Sequence, residues 1–403
     1  MSKKKLVPRL RFKEFEKDGE WKKLRLDELV NIVDGDRGTN YPSKKDFTDN
    51  GHTLFLNASN VTKLGFKFEE NQYISEIKSN LMGNGKLLLN DIILTSRGSI
   101  GNIAIYNEGI NRKYPYVRIN SGMLILRNRN IADSYFIGQY LKSPSGKYQI
   151  KLISFGSAQP QLTKDDVSNY SVVHPIDLSE QRRIGDFLNK FDAMIQLQQS
   201  KVNKVKDIKS AYLSEMFPKG GEDYPIRRFE GFHGSWETCH LGQVAGINKG
   251  EQLNSEKMIK SGKYYVLNGG INASGYTNNY NTKEQTISIS EGGNSCGYVN
   301  YNEEKFWSGG HNYALTNPKI NVLYLYYFLK SRQDEIMSLR VGSGLPNIQI
   351  TALSEFYISY PLRDEQEKIG QFFKNLDNQI SIEEEKLSKL EKLKQAYLND
   401  MFI

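Results

Sequence analysis

Residues 178–188 read LSEQRRIGDFL, and residues 362–373 read LRDEQEKIGQFF. Glu180 and Gln181 fall on Glu365 and Gln366, 185 positions later. The same separation relates KSAYLSEMF at 209–217 to KQAYLNDMF at 394–402. A match without gaps at both ends implies one uninterrupted element between them. From Glu180 to Phe217 there is no proline, and apolar residues fall at Ile184, Phe187, Phe191, Met194, Val202, Val205, Tyr212 and Met216. That spacing is close to 3.5 and predicts a helix that wants a partner. Ser179 before it and Pro218 after it supply start and stop signals. The second copy places Ile369, Phe372, Leu376, Ile380, Leu387, Leu390, Tyr397 and Met401 on a comparable stripe. About 38 residues at 1.5 Å rise make a rod of roughly 57 Å.

Outward from these helices the repeat is looser. PRLRF at 8–12, with Phe15 and Trp21 behind it, resembles PIRRF at 225–229 with Phe232 and Trp236. Leu26 and Gly35 then align with Leu241 and Gly250. GSAQP at 156–160 parallels GSGLP at 342–346, and Pro175 and Pro361 close the copies. The chain therefore divides into a first globular domain at 1–174, a first long helix at 175–217, a second globular domain at 218–360 and a second long helix at 361–403. Between the anchors the copies diverge, and the Asn- and Gly-rich run from Asn268 to Asn281 has no close counterpart in the first.

Within the first domain Thr53–Leu56, Leu87–Thr95 and Met123–Leu126 read as buried strands and Ser134–Ser143 as a short helix. Tyr264–Leu267, Gln285–Ser290 and Tyr313–Leu315 read as strands of the second, with a helix near Val322–Ser331. The predicted fold class is α+β: two strand-rich mixed α/β domains joined by two long antiparallel coiled-coil helices, a pseudo-two-fold internal repeat. In such a pairing Lys201 and Lys204 are expected near Asp377, Glu383 and Glu384.

Composition narrows the partners. Lys and Arg number 54 against 46 Asp and Glu, a formal charge of +8, which favours a polyanionic partner. Cys239 and Cys296 are far apart and form no CxxC pair, so neither a disulfide framework nor a zinc knuckle is expected. No stretch approaches a membrane span, and the expected compartment is the reducing cytoplasm.

Polar side chains beside glycines mark loops that can approach a partner closely. Arg97 and Ser99 precede Gly101, and Asn294 and Ser295 precede the aligned Gly297. Arg suits guanine and Asn or Gln suits adenine. The DNA-binding candidates are completed by Arg37, Lys44, Lys45, Asn57, Asn60 and Gln159 in the first domain. Lys249, Asn268, Asn272, His311, Asn312 and Asn347 complete them in the second. Many of these Asn residues equally suit turns.

A methyltransferase needs an Asn/Asp-Pro-Pro-aromatic loop, and the nearest stretch is only Asn317 followed by Pro318 and Lys319. Neither a GxxxxGK[ST] phosphate loop nor HExxH occurs. Glu76 and Lys78 with Asp46 or Asp49 make only a weak nuclease triplet. No catalytic residue and no metal ligand is therefore expected.

Two diverged domains separated by two near-identical helices, with the Glu-Gln starts, the Tyr-Leu-x-x-Met-Phe endings and the Trp21 and Trp236 openings, resemble the specificity subunits of type I restriction-modification systems. The resemblance spans the whole chain. It implies target-recognition domains that each read one half of an asymmetric bipartite site in double-stranded DNA, while the helices set the unread spacer and dock two methyltransferase subunits. Restriction endonuclease-translocase subunits join that core, directing adenine methylation and ATP-dependent restriction. S-adenosylmethionine, ATP and magnesium are then expected on the partner subunits and none on this chain. The competing reading is a coiled-coil scaffold with two repeated protein-binding domains.

Overall fold

The computed structural model describes residues 5–154, 160–342, 344 and 346–403. It falls into two compact units, Met1–Ser200 with Glu385–Ile403, and Lys201–Glu384. Each unit contains one globular module, the start of one long helix and the end of the other.

The first module is built on a four-stranded antiparallel sheet of Val30–Asp34, Met123–Asn128, Ile92–Thr95 and Ile103–Ile105, in that spatial order. Side chains alternate along each strand. Ile92, Leu94, Leu124 and Leu126 enter a core with Trp21, Phe136 and Tyr140, whereas Ile93, Met123 and Ile125 enter a second core with Leu54, Leu56 and Ile119. Burial on both faces is why these strands read as unbroken apolar runs. The second core is closed by a three-stranded sheet in which Thr53–Leu56 pairs antiparallel with Tyr73–Ile74 and parallel with Val117–Ile119.

The second module repeats this topology. Gly246–Lys249, Asn312–Thr316, Thr286–Ser290 and Val299–Asn302 form its four-stranded sheet, and Tyr264–Leu267 pairs antiparallel with Gly275–Thr277 and parallel with Trp307–Ser308. One face differs in chemistry. Ile287 and Ile289 enter the main core, but Ser288 turns the other way and accepts from Asn302 Nδ2 at 3.0 Å. That hydrogen-bonded face explains the alternating TISIS where the first module has an apolar run.

The long helices span Leu178–Glu215 and Arg363–Asp400. The buried positions Gln181, Ile184, Leu188, Phe191, Ile195, Gln198 and Val202 step by three and four alternately, the seam of a coiled coil. Within the first unit Phe187 and Phe191 pack on Tyr397, and Lys394 pairs with Asp192 at 2.5 Å. Within the second, Tyr212 packs on Phe372 and Lys209 pairs with Asp377 at 2.5 Å, so the segments run antiparallel in each unit. Met194 is a correction. It is 48% exposed, and Ile195, one residue on, takes the buried seam place. A second correction concerns charge: Glu384 and Asp377 meet Lys206 and Lys209 rather than Lys201 and Lys204.

The repeated helix start is a packing device. Arg11 forks onto Glu180 at 2.6 and 2.7 Å, and Arg228 onto Glu365 at 2.7 and 2.7 Å. Gln181 accepts from the Asp133 amide and donates to the Pro175 carbonyl, while Gln366 does the same with Asn321 and Pro361. A Cβ on Gly185 would lie 2.7 Å from the Phe136 amide nitrogen, and one on Gly370 2.9 Å from Leu323 Cβ, so only glycine lets a short helix cross there. The endings are equally explained: Leu398, Met401 and Phe402 complete the first module's core, and Met216 and Phe217 the second's.

His174, on the strand Ser171–His174 that pairs with Lys22–Arg25, is buried with Nδ1 2.9 Å from the Pro175 carbonyl. Its Nε2 has no partner among the described residues, and burial holds its pKa below the usual 6.5. The unfolded chain therefore gains this proton first as pH falls. The stability this group contributes is full above about pH 6.5 and is lost towards the lower folded-state pKa, at up to about 1.4 kcal/mol per unit. Urea unfolding at successive pH values between 7.5 and 5.5 is expected to show a steeper loss in the parent than in His174→Gln; equal slopes would remove His174 from the account.

Candidate nucleic-acid interface

In the first module, Val30–Asp34 and Ile92–Thr95 end beside the turn that opens Met123–Asn128, and polar candidates gather there. Arg37 Nη2 donates to the Ser121 carbonyl at 3.3 Å and lies 3.8 Å from Asp34. The Arg97 amide donates to the Gly122 carbonyl, and its guanidinium donates to Gln161 at 3.0 Å. Asn57 follows the strand Thr53–Leu56, whose Leu56 carbonyl accepts from the Asn120 amide. Arg37 and Arg97 are exposed while Asn57 is half-buried. Thus Arg37, Asn57 and Arg97 surround the 120–122 turn.

The backbone makes this approach possible. A Cβ on Gly35 would sit 2.1 Å from the Asn120 carbonyl oxygen, which forces glycine where the loop leaves its strand. Gly98 and Gly101 adopt φ of +69° and +86°, so the loop bearing exposed Ser99 turns back onto Thr95, whose hydroxyl donates to the Ser99 carbonyl. Asp36 braces the neighbouring loop by accepting from the Gly38 and Gly83 amides; Gly38 is the largest cause of its lowered pKa.

The other first-module candidates fare differently. Lys44 and Lys45 are exposed on a short 3-10 turn, Lys44–Asp46, capped by Ser43 and Asp46. Asn60 is corrected: it is 1% exposed, donates to the Lys67 and Glu70 carbonyls and accepts from the Asn57 amide, so its amide is used up inside the module. Gln159 lies outside the described residues. Asn120, Ser121 and Gln161 were missed, because a turn before a strand carries no signal of what it faces.

The second module brings different groups to the equivalent end. Lys249, at the end of Gly246–Lys249, pairs with Glu291 at 2.5 Å, and His311 Nδ1 lies 3.4 Å from the same carboxylate. The Tyr313 hydroxyl lies 3.2 Å from Glu291 and 3.0 Å from the Ile348 carbonyl; burial, then Glu291, pushes its pKa up to about 12. The His311 amide donates to Asn268 Oδ1. Lys249, Asn268 and His311 are thus brought together. Glu291 and Tyr313 were missed, although Glu291 follows the strand Thr286–Ser290 directly.

Asn294 and Ser295 form the 3-10 turn Gly293–Ser295, with Asn294 exposed. Asn272 is exposed on the loop after Asn268, and Asn347 is exposed, its Oδ1 accepting from Gln349. Asn312 is the other interior correction: it is 2% exposed and donates to Ser308 Oγ at 3.0 Å. Equivalent sheet ends therefore carry a guanidinium-rich surface in one module and an ammonium–carboxylate–imidazole group in the other. Forked donors and amides of this kind suit base edges and phosphates. Among the described residues no group of three or more His, Cys, Asp or Glu could hold a metal ion.

The family described as the type I restriction modification DNA specificity domain matches residues 18–207 and again 234–392. The chain belongs to this family. A Mycoplasma pneumoniae protein provisionally named a type I specificity subunit is 35% identical over 172 residues, 42% of this chain and 46% of its own length. The specificity subunit of the MjaIX type I restriction enzyme of Methanocaldococcus jannaschii is 23% identical over 337 residues, 76% of this chain and 75% of its own. The chain spans slightly under half the length of this Mycoplasma pneumoniae relative and of a similar Mycoplasma genitalium one. The crystal structure of a type I restriction-modification S subunit from M. genitalium superposes over 98% of this chain and 99% of that one, with a TM-score of 0.72 at 21% identity, a likeness of fold.

Proposed function

We propose that this chain is the sequence-reading subunit of a type I restriction-modification enzyme, in which each module reads one half of an asymmetric bipartite site in double-stranded DNA. The observation that carries this reading is the contrast at equivalent sheet ends: Arg37 and Arg97 in one module, Lys249, Glu291 and His311 in the other. Two copies of one scaffold with unlike polar loops suit two unlike half-sites. The long helices are the docking elements for two methyltransferase subunits, and restriction endonuclease-translocase subunits join that core. The chain itself is non-catalytic and cofactor-free; S-adenosylmethionine, ATP and magnesium belong to the partners, and the assembly works in the cytoplasm. No helix among the described residues is long and apolar enough to cross a membrane.

The test is duplex binding by the chain together with its methyltransferase partner, measured across salt concentrations. Log affinity is expected to fall linearly with log salt, with a slope of about −0.9 for each phosphate neutralised. A protein-binding scaffold would show no such binding, and that result would end the proposal.

A further inference from the structure

Behind the loop that carries Arg97 and Ser99, the first unit holds a cavity of about 620 Å³ walled by Ile100–Ile103, the helix Pro144–Ser154 and segments of both long helices. Five lysines line it, Lys63, Lys142, Lys147, Lys151 and Lys394, against two carboxylates, Asp192 and Glu391. Part of this charge is scaffold. Asp192 accepts from Lys394 at 2.5 Å, Lys142 at 3.1 Å and Gln139 at 2.7 Å, and this network ties the helices together.

The second unit shows what the scaffold alone requires. Its repeat-equivalent Asp377 binds Lys209 and the Tyr327 hydroxyl, at 2.5 and 2.6 Å. Aromatic rings occupy the surrounding ground: Tyr326 packs on Tyr301 and Tyr327, and the Lys330 ammonium lies over Tyr298. Lys63, Lys147 and Lys151 lie outside the Asp192 network. Lys63 and Lys147 have no ion-pair partner among the described residues.

Lys63 is moreover placed by a dedicated element. The two-stranded hairpin of Val61–Thr62 and Gly65–Phe66 belongs to the first module, and among the described residues the second module's sheets include no counterpart. Gln196 of the first long helix donates to the Leu64 carbonyl, so the hairpin is fastened with Lys63 at the cavity. Partial burial, with smaller contributions from Lys63 and Lys142, pulls the Lys147 pKa down.

We infer that this cavity is a phosphate site of the first module, and that its occupant is a backbone phosphodiester of the DNA whose bases the adjoining Arg97–Ser99 loop reads. The inference rests on the proposed DNA-reading function. A phosphate held there contributes affinity without sequence information and fixes the register of the reading loop. It is a contact of one module only, so the two halves of the site are gripped unequally.

The test uses the chain with its methyltransferase partner and compares the parent with the triple variant Lys63→Gln, Lys147→Gln, Lys151→Gln. All three residues reach solvent, and Lys142 and Lys394, which hold the helices, are left intact. The variant is expected to lose about tenfold in affinity for cognate and unrelated duplexes alike, with a salt slope shallower by about one. The corresponding triple arginine variant is expected to keep the parental slope, which separates lost charge from disturbed folding.

A second arm titrates pyrophosphate into the same proteins by calorimetry. An unchanged DNA slope with pyrophosphate binding confined to the parent and the arginine variant would keep the phosphate site and make a free anion its occupant. An unchanged slope with no pyrophosphate binding overturns the inference. If the parent itself shows no salt-dependent duplex binding, the proposed function fails, and the pyrophosphate arm still decides the cavity.

Discussion

Replacing residues 218–360 with the corresponding segment of another family member is expected to change one half of the methylated sequence and leave the other half intact. The second module's sheet-end groups, Lys249, Asn268, Glu291 and His311, contact one another and the loops of their own module. Those of the first, Arg37, Asn57 and Arg97, are held by the 120–122 turn and by Gln161. On the proposed function, each reading surface is therefore shaped by its own module's chain, and bases are discriminated at about 1–3 kcal/mol for each good bidentate pair. Since 1.4 kcal/mol is a factor of ten, two or three such contacts are enough to make the exchanged half-site wholly different. Methylome sequencing of cells that carry the exchanged gene with its methyltransferase partner reads the result directly. Altered bases in both halves would mean that the modules do not read independently.

Glu180→Ala is expected to destabilise the first unit by about 3–5 kcal/mol. The Arg11 and Glu180 side chains are only 6% and 1% exposed and meet through two hydrogen bonds. Removing the carboxylate leaves a buried guanidinium, with the Asp18 and Gly19 carbonyls as its remaining acceptors. The double variant Arg11→Met, Glu180→Leu takes out both charges and is expected to lie within about 1.5 kcal/mol of the parent, because a buried pair replaced by packed apolar groups is often neutral. Urea unfolding of the full chain separates the cases. If Glu180→Ala costs under about 1 kcal/mol, the clamp at the helix start is not what holds it. Glu365→Ala is expected to act in the same way on the second unit, through Arg228.

The strands Thr53–Leu56 and Met123–Asn128, the helix Val322–Ser331 and both long helices were legible in the sequence to within a few residues. Each is a strong local pattern, an apolar run or a seam of 3.5 period, backed by its repeat. Met194 was misassigned because two stripes one residue apart fit a short apolar list about equally well, and only packing against the partner segment chooses Ile195. The site was less legible. Arg37, Arg97 and Lys249 are exposed cations beside glycines, whereas Asn60 and Asn312 are interior turn and strand residues.

The 185-residue repeat alone determined that this protein has two alike modules and two alike helices, since such a match survives only where one packing problem is solved twice. Tertiary structure alone decided which side chains share a surface. The 120–122 turn beside Arg37, Glu291 between Lys249 and His311, and five lysines around one cavity join residues far apart in the chain. The physical reason is range: periodicity reports on neighbours within a few turns of the chain, whereas a surface is assembled by long-range strand pairing and helix packing that no local pattern encodes.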